Sequence, residues 1–127
     1  AGVDVRLLVP AIPDKKYAYM VAETYWGELL SHGVKIYKYT PGFLHAKSVL
    51  VDREVALVGS TNMDYRTFQL HYECGVLMYQ SEAVEELLED MDDIMAQSSL
   101  YTLEEWQKRP WLRRTAASLL RLGAIWL

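Results

Sequence analysis

The sequence predicts an α/β fold, a mixed β-sheet flanked by helices on both faces. Three observations carry that expectation. Short runs of β-branched and apolar residues recur at 3–9, 34–39, 48–51, 55–58 and 72–79, bounded by proline, glycine or polar clusters. Two longer stretches, 17–31 and 82–95, have helical rather than alternating patterns. Strands and helices also alternate along one short chain, which favours helix layers on a sheet.

Residues 3–9 form the first expected strand, ended by Pro10, and Pro13 and Asp14 make the loop that follows. The expected helix 17–31 is closed by Gly33, placed where a left-handed residue ends a helix. His32, in the last turn, suits the negative end of the helix dipole. After the strand at 34–39, Thr40-Pro41-Gly42 turns the chain towards Ser48-Val49-Leu50-Val51. Asp52-Arg53-Glu54 reads as a turn, and 55–58 as the returning strand. Ser81 is placed to cap the next helix, in which Val84, Leu87, Leu88, Met91 and Met95 fall on one face. Seven acids between Glu82 and Asp93 occupy its solvated side. Thr102-Leu103-Glu104-Glu105 is a capping box that opens a further helix, interrupted by Pro110.

A chain of 127 residues, 51% hydrophobic and 24% charged, fits a globular unit with one core. The single cysteine, Cys74, excludes an internal disulfide and a cysteine-cluster metal site; within an expected strand it reads as a buried thiol. No apolar run approaches the ~18 residues of a membrane span, and no signal peptide is evident. The chain starts at Ala1 and enters a strand at once, so it is expected to be a piece of a longer protein. Charge is unevenly spread. Residues 1–105 hold 8 basic and 17 acidic side chains, a balance of −9, whereas 106–127 hold five basic residues and no acid. The acidic body argues against nucleic acid as a partner. The basic tail, with Trp106, Trp111, Leu112, Leu119, Leu120, Leu122, Ile125 and Trp126, suits an anionic membrane surface. The domain expectation is a main body at 1–100 and a basic, apolar helical tail at 101–127.

His45 and Lys47 lie two residues apart at the head of an apparent strand, so both side chains are expected on one face. A nucleophile or proton carrier beside a fixed cation suits a phosphate diester: the ammonium neutralises phosphate oxygens while the imidazole attacks phosphorus or moves a proton. Gly59-Ser60 lets the backbone approach a phosphate closely.

From His45 the chain reads His-x-Lys, four residues, Asp52, six residues, then Gly59-Ser60-x-Asn62. This resembles the HKD signature of the phospholipase D superfamily, with every specified position filled. With residue frequencies of roughly 5% each, six specified positions match by chance about once in ten million starts or fewer. Gly2-Val-Asp-Val-Arg-Leu-Leu-Val-Pro10, Tyr25-Trp-Gly-Glu-Leu-Leu30, Gly33-Val-Lys-Ile-Tyr37, Pro41-Gly-Phe-Leu-His-Ala-Lys47, Asn62-x-Asp64-x-Arg66 and Phe68-Gln-Leu-His-Tyr-Glu73 are similar to the C-terminal half of bacterial cardiolipin synthases. Thr67 and His71 depart from the residues usual there, serine and asparagine, and the terminal Ser-Pro-Leu-Leu is absent.

The resemblance implies a phospholipase D-like half domain that supplies one of two catalytic histidines. One histidine forms a phosphohistidine; the other protonates the leaving alkoxide and then activates the acceptor, which a group titrating near neutrality can do. His45 is the residue expected to act here. Lys47 and Asn62 would hold the non-bridging phosphate oxygens, with a further hydrogen bond from Ser60. Glu73 matches the carboxylate that fixes the histidine tautomer. Asp52, the third letter of the motif, is expected to act mainly through turn hydrogen bonds. Asp64 and Arg66 form a candidate supporting pair. No residue cluster demands a metal or other cofactor, so metal-independent transfer is expected.

The implied activity is cardiolipin synthesis from two phosphatidylglycerol molecules at the bacterial cell membrane, by the peripheral portion of a membrane-anchored parent. The implied partner is the parent's N-terminal HKD half or a second copy. Phospholipid hydrolysis, nucleic-acid cleavage and a non-catalytic membrane-docking role stay open as alternatives.

Overall fold

The computed structural model describes residues 2–123, apart from the Arg66 side chain. Ile125 and Trp126 of the tail, and any Asp64–Arg66 pair, thus lie outside the described residues. The elements run β1 (Arg6–Pro10), α1 (Lys16–Ser31), β2 (Lys35–Tyr39), β3 (Ser48–Val51), β4 (Val55–Gly59), α2 (Tyr65–Gln69), β5 (Gly75–Tyr79), α3 (Glu82–Ala96), β6 (Ser98–Tyr101), α4 (Leu103–Gln107) and α5 (Trp111–Leu122). The α/β class is as expected. The strands, however, fall into two three-stranded sheets, ordered β1-β2-β6 and β3-β4-β5, rather than one. They belong to two compact units: the chain up to Leu44 together with the chain from Gln97 onward, and His45–Ala96 between them.

In the first unit β1 and β2 are parallel, joined through α1, and β6 adds antiparallel to β2. This sheet is mixed because β6 closes against β2. Ser98-Ser99-Leu100-Tyr101 carries little strand signal of its own, and its pairing comes from the open edge of β2. The end of α1 is a Schellman turn: Gly33, at φ +87°, donates to the Leu30 carbonyl and Val34 to that of Leu29. The His32 Nδ1 lies 2.8 Å from the Glu28 carbonyl oxygen, so the ring serves the helix end as expected.

Trp26, Ile36 and Tyr101 form the core of this unit, packed by Leu7, Val9, Leu29 and Trp106. Trp26 stands edge-on to Tyr19 and Tyr101 at 5.3 and 5.6 Å between ring centres. The Lys38 ammonium sits 3.5 Å from the Tyr101 ring centre, and burial lowers its pKa. The C-terminal helices belong to this unit. Thr102 and Glu105 cap α4 reciprocally, as the capping box anticipates, and Pro110 stands at the N-cap of α5. Trp106 lies so close over Gly27 that a β-carbon there would come within 2.5 Å of its ring. Its indole N–H donates to the Glu23 carbonyl oxygen at 2.7 Å. The Glu23 carboxylate, on a residue only 3% exposed, faces Arg113 at 2.9 Å and Arg109 at 3.6 Å.

The second unit is wholly antiparallel. The β3–β4 turn places Asp52 and Arg53 at φ +50° and +61°, with the Glu54 N–H donating to the Val51 carbonyl oxygen at 3.1 Å. Two consecutive left-handed residues match the twist of a tight hairpin. α3 packs on this sheet through its predicted stripe: Val84 is buried, Leu87, Leu88, Met91 and Met95 are half-buried, and the seven acids are exposed. Val49, Leu57 and Leu77, aligned across the three strands, share one exposed face.

Candidate active site

All the predicted site residues lie in the second unit, between His45 and Ala96. The regular ladder starts at Ser48, three residues later than His45. His45 and Lys47 therefore occupy an extended lead-in, and simple strand alternation does not position them. A local bond ties them instead: the Lys47 ammonium donates to the His45 carbonyl oxygen at 2.8 Å. The Gly59 N–H donates to the Lys47 carbonyl oxygen at 3.1 Å, which brings the two motif segments side by side. His45 is exposed and Lys47 half-buried.

Gly59 has a second reason to be glycine. A β-carbon there would strike the Cys74 carbonyl oxygen and lie 2.7 Å from the Gly75 Cα. Both are backbone atoms of the neighbouring chain and cannot swing aside. The next residue, Ser60, stitches the two segments together. Its N–H donates to the Cys74 carbonyl oxygen at 3.0 Å, and its hydroxyl oxygen accepts from the Cys74 N–H at 3.1 Å. The same hydroxyl donates to the Glu73 carboxylate. Glu73 in turn lies 3.5 Å from the Nδ1 of His71. Ser60 and Glu73, which sequence reasoning assigns to separate tasks, are thus in direct contact. In this arrangement the Ser60 hydroxyl has two acceptors, the Glu73 carboxylate and the Cys74 carbonyl oxygen at 3.3 Å.

Asn62 is exposed in the loop after β4. Asp64 accepts the Thr67 N–H at 2.7 Å and so caps α2, a short helix the sequence analysis does not anticipate. An aspartate just before a short helical run is the signal that could have found it. Asp52 sits in the hairpin turn, five residues beyond Lys47 and so about 17 Å of extended chain away. The structure therefore does not bring it together with the other motif residues, in line with a turn role. Cys74 is exposed rather than buried. It precedes β5, in the lead-in held by Ser60, outside the strand in which burial is expected. Among the described residues, no three His, Cys, Asp or Glu side chains converge as metal ligands would.

The family model described as "Cardiolipin synthase, PLD-like domain" matches residues 1–95. The chain belongs to this phospholipase D-like family. It is similar to a cardiolipin synthase of Geobacillus kaustophilus, 42% identical over 96% of this chain and 24% of that protein. It resembles cardiolipin synthase 2 of Bacillus anthracis to the same extent, 42% over the same shares. A cardiolipin synthase of Halalkalibacterium halodurans is 39% identical over 96% of this chain and 24% of its own length. The chain thus spans about a quarter of the length of these curated relatives. The family resemblance read from the motif is borne out by these matches.

Proposed function

We propose that this chain supplies one catalytic half of a phosphatidyltransferase that makes cardiolipin at the bacterial cell membrane. A phosphatidyl group leaves one phosphatidylglycerol, bonds through phosphorus to His45 or its counterpart, and releases glycerol protonated by the other histidine. The terminal hydroxyl of a second phosphatidylglycerol, deprotonated by that same group, then displaces the histidine and completes the phosphodiester. Lys47 and Asn62 offset charge on the phosphate oxygens. Glu73, held by Ser60, is the carboxylate that orients the motif histidine.

The observation that carries this reading is the bond from Gly59 to Lys47. It joins the His-x-Lys segment to the Gly-Ser-x-Asn segment within a chain that belongs to the cardiolipin synthase family. The second histidine comes from an N-terminal half carried by a longer protein or from a second copy of this chain. The chain alone, as a monomer, is therefore expected to be inactive.

The test is turnover of labelled phosphatidylglycerol by a protein carrying both motif halves. His45→Ala is expected to lower cardiolipin formation by at least ~10³-fold, as for other groups that act as a unit. Near-normal synthesis by that variant overturns the mechanism. Phosphatidate as the main product of the unmutated protein points to water as acceptor, and cleavage of nucleic acid without lipid turnover overturns the substrate class.

A further inference from the structure

Helix α5 carries apolar residues on two sides. On one side Ala117, 2% exposed, is buried where α5 packs with α1. On the other, Trp111, Leu112, Leu119 and Leu122 are 69, 63, 70 and 85% exposed. At 100° per residue these four fall within an arc of about 100°. They are neighbours along one stripe rather than scattered surface residues.

The border of the stripe is basic. Arg114 lines the same groove as Trp111, Leu119 and Leu122. Arg121 lies over the Tyr25 ring at 4.1 Å. Among the described residues neither arginine meets a carboxylate within ion-pair distance. Arg109 and Arg113, by contrast, are directed to Glu23. Arg114 lies 5.9 Å from the Trp106 ring centre, so both arginines beside the stripe rest over aromatic rings, contacts that leave their positive charge without a compensating carboxylate among the described residues.

We infer that the outer face of α5 lies in the plane of an anionic lipid surface, with Trp111, Leu112, Leu119 and Leu122 in the interfacial layer. Arg114 and Arg121 meet the lipid phosphates. Lipid fits better than a protein groove because the stripe joins a bulky interfacial aromatic and leucines to cations that no carboxylate among the described residues neutralises, and carries no acid. The geometry is in-plane: the 12 residues of α5 extend about 18 Å, short of the ~30 Å hydrocarbon core. Among the described residues no helix is long and apolar enough to cross a membrane. The inference deepens the proposed function and rests on it for the lipid's identity, since the proposed substrate is itself an anionic lipid. It is nevertheless tested without turnover, so either can fail alone.

The 127-residue chain is mixed with vesicles of phosphatidylcholine, with and without phosphatidylglycerol, and sedimented. Binding is expected only to vesicles containing phosphatidylglycerol, and is expected to weaken as salt rises. Leu119→Glu with Leu122→Glu is expected to weaken binding at least ~10-fold, and Arg114→Glu with Arg121→Glu by a similar factor. Melting curves show whether each variant is folded. As a second measurement, brominated acyl chains are expected to quench tryptophan fluorescence in the unmutated chain and much less in Trp111→Phe. Unweakened binding by folded variants, equal binding to phosphatidylcholine, or quenching unchanged by Trp111→Phe overturns the inference. So does light scattering that shows a dimer dissolved by the leucine substitutions, since the face then serves a second copy.

Discussion

The Ser60 hydroxyl donates to the Glu73 carboxylate across 13 residues of sequence, and accepts from the N–H of Cys74 beside it. One small side chain thus connects the end of β4 to the lead-in of β5. It also fixes the Glu73 carboxylate beside the Gly59-Ser60 segment. Ser60→Ala removes a donor from Glu73 and an acceptor from Cys74. These groups are partly wet, so the expected loss of stability is about 1 kcal/mol, read from the urea midpoint. In a protein with both motif halves, phosphatidyl transfer is expected to fall as well. Unchanged stability would show that water replaces the hydroxyl without cost.

Gly59→Ala is expected to cost about 1–3 kcal/mol, because the added carbon meets backbone of the adjoining segment and cannot be relieved by a rotamer change. Gly42→Ala is the control, since its added carbon meets only the Tyr39 ring at 3.9 Å. Equal midpoints for the two variants in chemical denaturation contradict the close approach at Gly59.

Glu23 is the buried acid of the first unit, and Arg109, with a side chain 9% exposed, depends on it. Glu23→Ala leaves that guanidinium without its counter-charge and is expected to destabilise the chain by about 3 kcal/mol. Arg113→Ala removes a half-exposed partner, with an expected cost below about 1 kcal/mol. Urea titration of both variants checks the order; a larger loss for Arg113→Ala reverses it.

Burial pushes the Tyr19 hydroxyl up from 10.0 to about 12, and the nearby Glu23 carboxylate adds to the rise. The folded chain therefore keeps this proton at alkaline pH where the unfolded chain has lost it. The stability that Tyr19 contributes is complete below pH 10 and is lost as pH rises towards about 12. Tyr101, also raised by burial, acts in the same direction. The urea midpoint is expected to fall less steeply across that window in Tyr19→Phe than in the unmutated chain. Parallel slopes contradict a buried, protonated Tyr19.

Features set by neighbours in sequence were legible beforehand. The glycine closing α1, the stripe of α3, the capping box of α4 and the Asp52 hairpin turn each depend on residues within one or two turns of chain. The motif spacing was legible for the same reason, since chemistry requires residue types at fixed intervals. What only the tertiary structure decided are pairings between distant segments. β6 joins β2 across about sixty residues, because an open strand edge needs backbone partners whatever side chains supply them. Trp106 and Arg109 reach Glu23 from 83 and 86 residues away, and burial alone makes that acid different from the exposed ones. Ser60 meets Glu73, and Asp52 stands apart from Lys47, because strand geometry rather than motif order sets which side chains share a space. Local pattern determined the parts and the family motif; the competition for buried surface and backbone partners decided which parts touch.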